Sequence, residues 1–116
     1  MNLYTCSIDL KNDAKALVFA KAAEDWLNHL KSLKVIQDWH LYRRKLNLAS
    51  SHHRDFLLQI EVEDMSQLDQ AFRTLGRHDD TIDALYRAVH EQILAADFGL
   101  YRPFPDTERA ERMALL

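Results

Sequence analysis

The sequence predicts an α+β fold: a four-stranded antiparallel sheet with its helices on one face, in the order β-α-β-β-α-α-β. Three observations predict it. Four stretches alternate apolar and polar residues with the period of half-buried strands. Three others repeat apolar residues every three or four positions, the signature of amphipathic helices. The chain is 116 residues long, which suits one domain with one core rather than two.

Tyr4, Cys6, Ile8 and Leu10 alternate with Leu3, Thr5, Ser7 and Asp9 and predict the first strand. Asn12 and Asp13 then offer side-chain oxygens to free first-turn amides. From Ala14 to about Lys34, Phe19, Ala23, Trp26, Leu27, Leu30 and Leu33 form the stripe of the first helix. Val35 to Leu48 reads as a long second strand, with Trp39 and Leu41 on one face and His40, Tyr42 and Arg44 on the other. The polar run from Asn47 to Arg54 is the hairpin loop. Phe56, Leu58, Ile60 and Val62 alternate with Leu57, Gln59 and Glu61 as the third strand.

Asp64 and Gln67 form a capping box ahead of the stripe Leu68, Ala71, Phe72 and Leu75. Gly76 is expected to end that helix in the left-handed conformation. A third helix starts at Asp79-Asp80-Thr81, with stripe Ile82, Leu85, Tyr86, Val89 and Ile93. Ala96 to Arg102 is the fourth strand, stopped by Pro103 and Pro105. Residues 1–104 form the domain; 105–116 form a tail, with Thr107 to Leu116 a short terminal helix. This order gives the ferredoxin-like arrangement, with strands one and three central.

Composition excludes several function classes. The two glycines, Gly76 and Gly99, are too far apart for a Walker-type or dinucleotide phosphate loop. A single cysteine, Cys6, rules out an internal disulfide or an iron–sulfur cluster. The net charge of −3 argues against a nucleic-acid partner. No apolar run reaches the length of a membrane span, and no export signal opens the chain, so a cytoplasmic location and no membrane partner are expected.

The more apolar alternation of every strand (Tyr4, Cys6, Ile8, Trp39, Leu41, Phe56, Leu58, Ile60, Phe98, Leu100) is assigned to the helix side. The open face then carries Leu3, Thr5, Ser7, His40, Tyr42, Arg44, Leu57, Gln59, Glu61, Gly99 and Tyr101. Its leucines and tyrosines would form an apolar patch on a monomer. A second copy packed face to face is the expected remedy, giving a homodimer.

The run Arg43-Arg44-Lys45-Leu46-Asn47-Leu48 and the closing Phe98-Gly99-Leu100-Tyr101-Arg102-Pro103-Phe104, with the element order, resemble the dimeric α/β-barrel superfamily. The opening Asn2-Leu3-Tyr4-Thr5-Cys6 and the ending Arg102 to Asp106 are similar to a set of short uncharacterised proteobacterial proteins. The resemblance implies fold and dimerisation. The superfamily includes cofactor-free monooxygenases, haem-degrading enzymes, dye peroxidases and proteins of no known activity, so it does not imply one chemistry.

His40 is the best candidate for catalysis, because an imidazole beside a carboxylate and a phenol does acid–base work near neutral pH. Tyr42, Arg44, Gln59, Glu61, Gly99 and Tyr101 are the candidate ligand-binding residues, with Arg44 suited to an anion and Gly99 to close approach by a molecule or another backbone. The same groups would also suit a polar dimer interface. His52, His53 and Asp55 lie in a loop without a ligand-spacing motif, so no metal and no cofactor are expected. The chain is thus read as a homodimer binding a small aromatic or anionic molecule. A cofactor-independent monooxygenase or isomerase, or a structural dimer without a ligand, are the alternatives.

Overall fold

The computed structural model describes residues 1–105 except 47, 49 and 78. The chain runs β1 (Asn2–Leu10), α1 (Ala16–Ser32), β2 (Asp38–Arg43), β3 (Phe56–Val62), α2 (Met65–Leu75), α3 (Asp80–His90) and β4 (Ile93–Tyr101). The strands form one antiparallel sheet in the order β2-β3-β1-β4, so β1 and β3 are central as the sequence predicts.

Each helix start has a local cause. Asn12 accepts from the Ala14 N–H at 3.0 Å and caps a single 3-10 turn, Asp13–Lys15, that leads into α1. Asp64 accepts from the Gln67 N–H at 2.8 Å. The Gln67 side chain answers one residue earlier than a capping box requires, accepting from the Glu63 N–H at 2.7 Å. Asp79 accepts from both Thr81 and Ile82 N–H groups and starts α3. Each cap satisfies first-turn donors that have no partner within the helix.

The core lies between the sheet and the helices. Cys6, Ile8 and Leu10 from β1, Phe56, Leu58 and Val62 from β3, and Phe19, Ala23, Trp26, Leu27 and Leu30 from α1 are buried there. Leu68 and Ala71 of α2, with Ile82 and Val89 of α3, complete it. Phe19 packs on Phe56 with ring centroids 5.3 Å apart.

Three local expectations need correction. β2 spans six residues rather than Val35 to Leu48. Lys34 takes a positive φ after α1, Val35 and Ile36 are buried in the connection, and a turn forms beyond the strand where the Leu48 N–H donates to the Lys45 carbonyl. Arg44 therefore lies just outside β2, though its N–H still donates to the Asp55 carbonyl at 2.7 Å. Gly76 has φ −78°, ordinary right-handed backbone, so it does not stop α2 by a left-handed turn. Ile93 belongs to β4, not to α3: it pairs with Leu10 across an irregularity at Asp9/Leu10 that lets the strand begin three residues early. Phe98 and Leu100 face the helix side as expected, opposite Cys6 and Tyr4, with 63% and 46% of their surface exposed. The expected terminal helix at 107–116 and the turn at His78 lie outside the described residues.

Candidate functional site

The register sorts the open face into rows. Asp38, Glu61, Leu3 and Tyr101 form one row across β2, β3, β1 and β4. His40, Gln59, Thr5 and Gly99 form the next, and Tyr42, Leu57, Ser7 and Asp97 the third. Six of the seven candidate residues are thus brought onto one surface: His40, Tyr42, Gln59, Glu61, Gly99 and Tyr101. Arg44 sits beyond the end of β2 and is exposed. The His40 and Tyr42 rings are neighbours, with centroids 6.3 Å apart.

This surface is shallow. A depression of about 340 Å³ reaches Glu61 and Tyr101 from Met1, Asn2, Leu3, Arg102 and Pro103, but not His40. The Nδ2 of Asn2, a residue buried to 2% exposure, has no hydrogen-bond partner among the described residues. Gly99 admits close approach, and the chain itself makes it. A Cβ at Gly99 would lie 2.9 Å from Thr5 Oγ1 and 3.0 Å from Tyr101 Cε2. The Thr5 hydroxyl also donates to the Gly99 carbonyl at 3.4 Å.

At the far end of the face, Arg54 ties the hairpin to the sheet. Its guanidinium donates to Asp9 at 2.8 Å and to Asp97 at 2.7 Å. The Asp9 carboxyl is held below its ordinary pKa, mainly by the Asp55 N–H at 3.0 Å and further by Arg54. His53 Nδ1 lies 2.8 Å from Ser50 Oγ within the loop, consistent with a local role for that histidine. Asp38, His40 and Glu61 each bring one potential cation-ligating atom to within 4.8 Å of the others.

The enclosed space lies on the other face. A cavity of about 220 Å³ sits between the sheet and all three helices. Its floor is Tyr4, Cys6 and Ile8 of β1 with Leu58 and Ile60 of β3; its walls include Trp26, Leu75 and Val89. Phe72 of α2, Tyr86 and His90 of α3, and Phe98 of β4 also line it and are exposed, so they mark its mouth. Tyr4 links the two sides of that mouth. Its ring meets Phe72 edge-on at 5.8 Å and stacks on Phe98 at 6.0 Å. Tyr86 contacts Trp26 edge-on at 5.9 Å and stacks on His90 at 3.8 Å. Such offset and edge-on pairs are favourable arrangements for aromatic rings and hold one another's orientation.

Among the described residues the lining contains no Asp, Glu, Lys or Arg. Burial pushes Cys6, Tyr4 and His90 toward their neutral forms. Burial, with the Asp97 carboxylate adding, raises the Cys6 thiol to about 11. Burial raises the Tyr4 phenol, and Cys6 adds to that shift. Burial lowers the His90 imidazole, which favours its uncharged form.

None of the seven candidate residues lines this cavity. Sequence reasoning placed Trp26, Phe72, Tyr86 and Phe98 on the apolar side but named none of them as a site residue. The available signal was the concentration of aromatics on α2, α3 and β4, where each helix stripe meets the sheet edge.

These features define a small ferredoxin-like α+β protein: an antiparallel sheet with three helices on one face. Solved structures share that fold. The Arabidopsis thaliana protein At3g17210 matches with TM-score 0.69 at 6% identity, over 89% of this chain and 95% of that one. A DABB family protein with a ferredoxin-like fold from Mesorhizobium loti matches with TM-score 0.60 at 14% identity, over 89% and 96%. A dimeric ferredoxin-like protein of unknown function from Jannaschia sp. CCS1 matches with TM-score 0.64 at 9% identity, over 88% and 98%. At these identities the likeness is one of fold. The chain belongs to the DUF6614 family, a family of unknown function whose model matches residues 1–116. No curated protein matches it. Among the described residues no helix is long and apolar enough to cross a membrane.

Proposed function

We propose that this protein is a homodimer, joined through the open sheet faces, that binds one compact, uncharged aromatic molecule per chain between sheet and helices. The cavity and its aromatic mouth carry the reading. An apolar cavity of roughly 150 Å³ accepts a benzene ring, so a space of about 220 Å³ suits one ring or two fused rings. Between the aromatic and anionic ligands that the sequence leaves open, the lining favours the aromatic one. A carboxylate taken into a space without a cation would forfeit its hydration uncompensated. Dimerisation is supported by the open face itself, where Tyr42, Leu57 and Tyr101 expose apolar area around a polar centre, and by the dimeric Jannaschia neighbour.

A thermal-shift comparison of indole and 2-naphthol with benzoate tests the ligand. A molecule that binds only the folded state raises Tm. The two neutral compounds are expected to raise it and benzoate to leave it unchanged. The Phe72→Ala variant, altered at a half-exposed position, is expected to keep its fold and lose the response. No shift with any neutral aromatic would leave the structural dimer as the better reading.

The enzyme reading changes residue. His40 projects from the face opposite the cavity, whereas His90 stands at the cavity mouth in a setting that favours its neutral, proton-accepting form. A cofactor-independent monooxygenase or isomerase would therefore use His90. Oxygen uptake with a bound phenol, lost in His90→Ala while binding persists, is its expected signature.

A further inference from the structure

We propose that Asp38, His40 and Glu61 form a site for a first-row divalent transition cation such as Zn²⁺, at the β2 margin of the open face. The site is separated by the sheet from the aromatic cavity and does not rest on ligand binding there.

The strand register builds it. Asp38 and His40 are two residues apart on β2 and project to the same face, and Glu61 of β3 lies directly opposite Asp38. One ligand atom from each lies within 4.8 Å of the others. A cation about 2.1 Å from each donor needs them roughly 3–4 Å apart, a closure that small side-chain rotations of half-buried Asp38 and Glu61 and exposed His40 supply. The imidazole separates this group from an ordinary acidic patch, because one nitrogen and two oxygens suit Zn²⁺ and its neighbours rather than Mg²⁺ or Ca²⁺.

The two oxygens of Asp38 are differently engaged. Its Oδ1 accepts from the Trp39 N–H at 2.8 Å and the Lys31 ammonium at 3.3 Å. Its Oδ2 is left facing His40 Nε2 at 3.8 Å. Hydrogen bonds to the non-ligating atom are how outer groups orient a metal-binding carboxylate. Glu61 adds an independent argument. Like charges directly opposite on neighbouring strands destabilise a sheet, and Lys31 is paired to Asp38, while no cation pairs with Glu61 among the described residues. A divalent ion bridging the strands would turn that repulsion into a clip holding edge strand β2 to β3.

Calorimetric titration of the full chain with ZnCl₂ tests the site. One ion per chain is expected. His40→Ala and Glu61→Gln should each weaken binding by more than the roughly tenfold that losing an outer-shell partner costs. Replacing both His52 and His53 by alanine should change nothing, and Phe72→Ala should bind Zn²⁺ as the parent does, whatever it does to aromatic ligands. Zn²⁺ should raise the Tm of the parent and not of Glu61→Gln, whose ion-free Tm should equal or exceed the parent's. Absence of stoichiometric binding, or binding and Tm response unaltered by His40→Ala and Glu61→Gln, overturns the proposal.

Discussion

The two faces of the sheet come from the same four strands and differ in how their side chains are held. On the helix side, alternate residues of β1 and β3 are buried against α1, while the β4 edge and the neighbouring cavity mouth are open. On the open side, alternate residues stand in cross-strand rows that only their neighbours hold, and the polar groups there are placed by register. A one-residue step along β3 moves from one regime to the other. That is why apolar volume accumulates on one face and titratable groups on the other.

Neighbouring residues on β3 give the sharpest test of that difference. Leu58 is buried at 9% exposure and lines the cavity. Leu58→Ala should cost about 2–5 kcal/mol of stability in denaturant unfolding. Leu57 is 39% exposed on the other face. Leu57→Arg should leave the fold intact and yield a monomer in light scattering. Equal losses of stability at the two positions would break the distinction between the faces.

The glycines test it on a smaller scale. Gly99→Ala forces a Cβ against Thr5 and Tyr101 and should destabilise by about 1–3 kcal/mol, the range typical of overpacking. Gly76→Ala meets only ordinary contacts, at 3.5 Å from the Arg73 carbonyl, in right-handed backbone. It should be neutral or stabilise by about 0.4–1 kcal/mol.

Asp9 gives the smallest effect and a pH signature. Its folded pKa is lowered by the Asp55 N–H and then by Arg54. Its contribution is therefore fully present above the unfolded carboxylate pKa of about 4 and is lost as pH falls toward the folded value. The stability gap between parent and Asp9→Asn should be constant near neutrality and shrink below about pH 4. A gap that widens in acid would contradict the assignment.

Much of the architecture was legible because its causes are local. The period-two alternation of Tyr4 to Leu10 and Phe56 to Val62, and the caps at Asn12, Asp64 and Asp79, depend on nearby residues alone. The boundaries that shifted depend on distant partners. β2 stops at Arg43 where the hairpin turns, and Ile93 leaves the helix because Leu10 offers it a pairing position. The open-face group was legible for the same reason as the strands, since His40, Tyr42, Gln59 and Glu61 follow from alternation. The cavity was not. Whether Phe72, Tyr86 and Phe98 close on one another or leave space is decided by how far each helix stands from the β4 edge, which no residue spacing encodes. Asp38 escaped notice because its partner, Glu61, is set by register between strands.

A ligand is expected to enter the cavity between sheet and helices rather than the open face. Amide and indole NMR shifts during titration with indole test this most directly. Perturbations concentrated at Tyr4, Trp26, Phe72, Tyr86, His90 and Phe98, with His40, Tyr42, Gln59 and Tyr101 unmoved, are the predicted result. Saturable shifts clustered on His40, Tyr42 and Gln59 with the cavity residues silent would contradict it.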